Sequence, residues 1–385
     1  MGGAETVIAG LAVEFRRQGV ATTVVTAQWD KTWPESCVLD DIPVVRLPQP
    51  TQRGWGTLRY MNQLSRWLRK QYADWDLVYV SMLKHDAYTA IGALASSAIP
   101  VVLRAEGGGL TGDCHWQQKS RFGQRIKLRC LRADGLVAIS PAIYEEMLQA
   151  GYPVANIHRI DNGVSTADGV TSSNRAAARD SLAEAQPELR FPKGAKLAVY
   201  TGRLHAGKGL RHLVDAWPRV LQDWPSARLW LVGAGDDEAA LRGQIQSRGL
   251  SNYIALPGMF DSLDDILAAA DLYVLPSFEE GMSIGLLEAM ARGLPSVASD
   301  IPGNRAVAQH KVTSYLVPPG DSLALARAIR HVWSDPGLSD AMGHAAQEFL
   351  IRRFSIEQMA RRHLELFEQL VSGHKPRRDQ NPRPN

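Results

Sequence analysis

Cysteine is scarce in this 385-residue chain: Cys37, Cys114 and Cys130 are all it has. They show neither paired nor metal-ligand spacing, which excludes a disulfide-built fold and a zinc module and suits a reducing compartment. Net charge is scarce too. The formal charge is +3, and Lys375, Arg377, Arg378 and Arg383 against Asp379 in the tail account for it. The rest is close to neutral, so nothing global points to nucleic acid. Long apolar runs are missing as well. The longest mostly apolar stretch, 87–103, is broken by Ser96, Ser97 and Pro100 into helix, turn and strand, which excludes a membrane span. No charged-then-apolar leader opens the chain, and a cytoplasmic location is the expectation.

Hydrophobic content of 45% and charged content of 22% are those of a globular protein, and the length allows two domains. Strand-like stretches at 22–26, 44–47, 77–81, 100–104, 135–140 and 157–160 alternate with helical ones. One helix, 57–72, is expected to bury Leu58, Met61, Leu64 and Leu68; others fall at 88–96, 119–132 and 141–150. The pattern restarts with strands at 196–201, 227–232, 253–256, 272–275, 296–298 and 315–317. Helices at 210–223, 237–248, 262–270, from 283 on, 322–334, 337–352 and 355–370 go with them. Alternation of this kind implies parallel sheets covered by helices. The expected domains are 1–165 and 194–352, joined by a weakly patterned linker, 166–193. A C-terminal helix, 353–371, could return to the first domain, and the polar tail 372–385 reads as disordered. Gly2-Gly3 opens a helix with Val7, Leu11, Ala12 and Phe15 on one stripe, and no strand precedes it. Either the first strand is missing from this chain or the glycine pair is a frayed end.

The stretch 272–295, LYVLPSFEEGMSIGLLEAMARGLP, organises the second half. A strand stopped by Pro276 leads through a Glu- and Gly-rich loop into a helix near Ser283. Glu280 stands in the loop and Glu288 about a turn into the helix. Free N–H groups at a helix start attract phosphate, and carboxylates accept from vicinal hydroxyls, so the pattern suits a phosphorylated sugar or nucleotide. The same residues would also make an ordinary strand-to-helix connection. A second loop, Gly202 to Gly209, carries Arg203 and Lys208 after the first strand of this half. A guanidinium fork and an ammonium there suit a diphosphate, and the bland alternative is solvated loop cations.

Together these elements resemble the retaining glycosyltransferases of family four. The resemblance is carried by GGAE at 2–5, NGV at 162–164, GRL at 202–204 with Lys208-Gly209, LVGAG at 231–235, ADLYVLPS at 270–277 and EGMSIGLLEAMARGLP at 280–295. It implies the GT-B fold, an α/β architecture of two Rossmann-like doubly wound parallel-sheet domains facing a cleft. A nucleotide-sugar donor, UDP- or GDP-linked, would lie on the C-terminal domain and a saccharide or lipid-linked acceptor on the N-terminal one. Carried over residue by residue, Gly202, Arg203 and Lys208 hold the diphosphate and Glu288 the ribose hydroxyls. Glu280, Gly281, Met282 and Ser283 contact the donor sugar, Gly3 meets phosphate, and the base lies near 256–259. The catalytic set is Arg203, Lys208 and Glu280, with no metal and no cofactor beyond the co-substrate. A nucleotide-sugar binder without catalysis, or an epimerase or phosphorylase on the same architecture, is the alternative.

This sequence departs from the family pattern at several points. Glu106 stands where many relatives have a sugar-contacting His, so Glu106 and Asn162 enter as candidate sugar or acceptor contacts. Gly303-Asn304-Arg305-Ala306 lacks a usual carboxylate, and Ser165 replaces the Asp after NGV. The basic run Lys119, Arg121, Arg125, Lys127, Arg129, Arg132, and Arg66, Arg69 and Lys70 around Trp67, could touch anionic lipid or serve as solvated faces. His205 sits beside the cationic loop. Asp74 and Asp76 have metal-pair spacing but read as a polar turn.

Overall fold

A computed structural model describes residues 3–48, 55–166, 169 and 171–373; Gly2 and the tail from 374 on lie outside them. The chain divides into two compact units.

The N-terminal unit runs over Ala4–Asn162 and takes in the helix Ile356–Gly373. Strands β1 (Val24–Gln28), β2 (Ser36–Leu39) and β3 (Ile42–Pro48) form one sheet in the order β1-β3-β2. A second sheet, all parallel, is ordered β4 (Val78–Ser81), β5 (Val101–Ala105), β6 (Gly135–Ala138), β7 (Ile157–Arg159). β2 was not expected. It is antiparallel to β3, turned by Asp40 and Asp41 in the left-handed region, and no residue of it is fully buried. With no buried face it carries no alternation to read. No described strand precedes the helix Gly3–Arg17. Among the described residues β1 and β4 each pair along one edge only, and every residue of β4 is half-buried while β5 and β6 are buried throughout.

The helix Gly3–Arg17 buries Val7, Leu11, Ala12 and Phe15, the stripe its spacing predicts. The helix Trp55–Gln71 corrects its expectation. Tyr60, Leu64 and Leu68 face inward at four-residue steps, Leu58 is 60% exposed and Met61 is half-buried. The single basic helix expected over 119–132 is two, Asp113–Lys119 and Gly123–Cys130. The break is tight: a Cβ on Gly123 would collide with the Gln117 carbonyl oxygen.

The C-terminal unit, Gly163–Ser355, holds a six-stranded parallel sheet. Its strands are β8 (Leu197–Thr201), β9 (Arg228–Val232), β10 (Ile254–Ala255), β11 (Leu272–Leu275), β12 (Ser296–Ser299) and β13 (Tyr315–Val317). The order is β10-β9-β8-β11-β12-β13. The chain thus winds outward from β8 one way, then returns to β8's other edge as β11. That reversal is a topological switch point, where the carboxyl ends of neighbouring strands diverge into a ligand crevice. Trp217, Trp230 and Trp333 are buried to 2% or less, and burying such side chains stabilises by roughly 1.5–3 kcal/mol or more each.

The segment 166–193 is not a weakly patterned linker. It holds a helix, Ser172–Ala185, started by a capping box between Thr171 and Asn174. Ala178 and Leu182 are buried, and Arg179 donates to Asp271 at 2.7 Å just ahead of β11. The division between units falls at Asn162, ahead of this helix.

Candidate active site

Two groups of polar side chains stand at the carboxyl ends of parallel strands, one in each unit. In the C-terminal unit, β8 and β11 are neighbours, with Ala198 and Val199 beside Leu272 and Tyr273. The loop after β8 carries Arg203 and Lys208; the loop after β11 carries Glu280. The two loops are locked together. The Phe278 N–H donates to the Gly207 carbonyl at 2.9 Å, and Gly209, at φ 65°, lies so close that a Cβ would collide with the Pro276 carbonyl oxygen. This seats Lys208: its Nζ is 2.7 Å from Glu280 Oε1, and Ser277 Oγ donates to the same oxygen at 2.6 Å. The Arg203 side chain is exposed and makes no hydrogen bond or ion pair among the described residues. Gly202, at φ 144°, packs on the Tyr200 hydroxyl, which donates to the Arg203 carbonyl at 2.9 Å.

Beyond Glu280, Gly281 is half-buried, Met282 is buried, and Ser283 caps the helix Ile284–Ala291 by accepting from the Leu286 N–H. Glu288 follows one turn in, half-buried, its carboxyl pushed up to about 7 by burial. Glu280 and Glu288 both act on the buried Tyr273 hydroxyl, and Glu280 and Arg203 on that of Tyr200. The geometry brings Lys208 and Glu280 together directly, while Glu288 follows on the next helix and Arg203 on the loop that carries Lys208. Gly303 also belongs here, since a Cβ there would collide with the Glu280 carbonyl oxygen. Arg305 is occupied by Asp300 at 2.6 Å. His205 is a structural cap, its Nδ1 accepting from the Gly207 N–H at 3.1 Å.

In the N-terminal unit, Glu106 and Asn162 are linked through Arg104, a residue the sequence did not single out. Arg104, on β5, is wholly buried; its Nη1 lies 3.0 Å from Glu106 Oε1 and its Nη2 donates to Asn162 Oδ1. Ser81 Oγ donates to Glu106 Oε1 at 2.6 Å, and the Glu106 N–H donates to Asp113 Oδ2 at 2.9 Å. Burial raises the Glu106 carboxyl, against the pull of Arg104 and Ser81. Arg104 only partly offsets that rise, and a protonated His in place of Glu106 could not make this pair. Gly3, the first residue of the helix Gly3–Arg17, belongs to the C-terminal unit, where a Cβ on it would come within 3.2 Å of Ile284. Among the described residues no three His, Cys, Asp or Glu side chains gather as metal ligands, and Trp75, between Asp74 and Asp76, packs on Trp67 at 4.9 Å.

The family described as Glycosyltransferase Family 4 matches residues 1–168, and that described as Glycosyl transferases group 1 matches residues 195–335. The chain carries the family-four and group 1 glycosyltransferase domains. A phosphatidyl-myo-inositol mannosyltransferase of Mycobacterium leprae is 34% identical over 50% of this chain and 52% of its own length. An exopolysaccharide phosphotransferase of Streptomyces coelicolor is 34% identical over 53% of this chain and 23% of its own. The chain therefore spans about half, or less, of these relatives. In three dimensions it is similar to Anabaena HepE in complex with UDP-glucose, with a TM-score of 0.79, 23% identity and 96% of each chain covered. That likeness shows the fold, GT-B, with two Rossmann-like domains.

Proposed function

We propose that this protein is a metal-independent, retaining glycosyltransferase that moves a sugar from a UDP- or GDP-linked donor to a saccharide or lipid-linked acceptor in glycan assembly. The observation that carries this is the Lys208–Glu280 pair, seated by Ser277 and Gly209 at the switch point between β8 and β11. Breaking the bond from the anomeric carbon to phosphate builds negative charge on the departing diphosphate. Lys208, the unpaired Arg203 and the N–H groups ahead of Leu286 supply fixed positive charge there, the task a divalent ion performs elsewhere. Glu280 accepts from donor-sugar hydroxyls and Glu288 from the ribose, while Gly281, Met282 and Ser283 let backbone approach the sugar. Glu106 and Asn162 stand with the acceptor. The HepE complex with UDP-glucose and the relatives named for polysaccharide and glycolipid synthesis support this reading.

The test is donor turnover with UDP- and GDP-sugars in the presence of EDTA. Lys208→Ala should lower kcat about 10²–10³-fold, the usual loss for one transition-state donor, with the thermal midpoint kept. Product stereochemistry by NMR should show retention. Full activity in both Lys208→Ala and Glu288→Ala would overturn the assignment; binding without transfer across an acceptor panel would leave only a nucleotide-sugar binder. We place the protein in the cytoplasm, in weak peripheral contact with anionic membrane. Phe122 and Leu128 are 52% and 64% exposed beside Lys119, Arg121, Arg125 and Lys127, which supports that contact. Co-sedimentation with phosphatidylglycerol but not phosphatidylcholine vesicles tests it.

A further inference from the structure

We propose that the loops after β4 and β5 form a subsite for a neutral sugar ring of the acceptor, contacted by Lys84, His85 and Trp116. This deepens the glycosyl-transfer reading and rests on it. The loops leave neighbouring parallel strands at their carboxyl ends, where α/β sheets take ligands. After Ser81 the chain turns through Met82 at φ 71°, a left-handed conformation that a non-glycine residue holds only when its surroundings impose it. Leu83 is then wholly buried, and Lys84 and His85 emerge half-exposed.

Their heads are held in place. Asp113, at 2% exposure, receives Lys84 Nζ at 3.5 Å on one oxygen and the Glu106 N–H at 2.9 Å on the other, tying the two loops to one buried carboxylate. One turn on, on the same helix face as Asp113, stands Trp116. Lys84 Nζ lies 5.7 Å from its ring centroid and the His85 imidazole meets it edge-on at 5.4 Å. The contacts continue through Glu106 and Arg104 to Asn162. Arg104 Nε, fully buried, has no hydrogen-bond partner among the described residues. A surface loop has no need of a buried carboxylate to hold a lysine still; a binding site does.

Charge selects the ligand class. Lys84 and Arg104 are matched by Glu106 and Asp113, with Asp86 next to His85 on the same turn. Burial and the Lys84 charge lower the His85 pKa, keeping the imidazole neutral. No positive surplus is left for a phosphate or a uronate. Interleaved donors and acceptors beside an indole instead suit the hydroxyls and C–H face of an uncharged pyranose.

The test is saturation-transfer NMR titration of the full chain, saturated with UDP. The probes are methyl α-glucoside, α-galactoside and α-mannoside against methyl glucuronide and glucose 6-phosphate. At least one neutral glycoside should bind. Lys84→Met should weaken it about tenfold to a hundredfold, the range for one charged hydrogen bond, and Trp116→Leu should do likewise. Calorimetric UDP binding verifies that each variant is folded. Conversely, Lys208→Ala should lose UDP while keeping the saccharide signal, so a failure of the donor reading shows separately. The subsite is overturned if no neutral glycoside binds or if the anionic probes bind more tightly. It is overturned equally if Lys84→Met, a change at a half-exposed side chain, leaves the neutral sugar's Kd unaltered.

Discussion

Lys208 and Glu280 neutralise each other at 2.7 Å, so a diphosphate arriving at Lys208 competes with a carboxylate already there. Glu280→Gln should therefore tighten UDP about fivefold, roughly the 1 kcal/mol of a partly exposed ion pair, while lowering sugar transfer. Calorimetry with UDP beside a turnover assay checks this, and weaker UDP binding would count against it. Glu288 makes a second prediction, with a definite sign. Its folded carboxyl titrates near 7 against an ordinary 4.5, so between those values the folded state holds a proton that the unfolded state has lost. The C-terminal unit should lose stability as pH rises from about 4.5 to 7, and Glu288→Gln should remove that slope in thermal midpoints. These residues were legible in the sequence because each lies in a contiguous loop after a recognisable strand. The Arg104–Glu106–Asn162 link was not. Arg104 and Asn162 are 58 positions apart, and nothing local distinguishes a buried strand arginine from a solvated one.

Several elements were readable to the residue, among them the helix Leu210–Asp223, the strands Leu272–Leu275 and Tyr315–Val317 and the helix Ser322–Ser334. In each, apolar periodicity and end signals agree. The helix Ser172–Ala185 escaped because only Ala178 and Leu182 mark its buried face, and β2 because it has none. How closely elements approach is a further thing that periodicity does not report. Gly285, in the helix after Ser283, lies against Tyr273 of β11, where a Cβ would collide with the hydroxyl; Thr201 Oγ1 stands 3.1 Å off. Gly285→Ala should cost about 1–3 kcal/mol by overpacking and displace Glu288 from the ribose position. Tyr273→Phe removes the colliding atom and two long contacts, each 3.4 Å, to the Thr201 hydroxyl and carbonyl. The double variant should then be more stable than Gly285→Ala alone, a coupling that chemical denaturation measures. Additive losses would mean the helix yields instead of the tyrosine.

At the level of the whole chain, the N-terminal unit is closed by residues from the far end of the sequence. His363, on the helix Ile356–Gly373, is wholly buried among Phe15, Tyr79 and Phe367. Its Nδ1 faces the Met359 carbonyl at 2.8 Å and so carries the proton; Nε2 must then accept from the Tyr79 hydroxyl, also at 2.8 Å. Burial lowers its pKa to about 3 from 6.5. Below pH 6.5 the unfolded histidine takes a proton that the folded one refuses, so the stability of this unit falls as pH falls through that window. Glu288 acts in the opposite sense in the other unit, and the two units should respond oppositely to acid between pH 6.5 and 5. Hydrogen exchange resolved by peptide can follow them separately. With the slower intrinsic exchange at lower pH allowed for, acidification should lower protection in β4 and the helices that carry Phe15 and His363, and raise it around β11. His363→Leu should flatten the first response, at a cost of about 1–3 kcal/mol at neutral pH from the orphaned Tyr79 hydroxyl. A uniform change of protection across both units, or an unchanged slope in that variant, would show that neither buried group governs the response to acid.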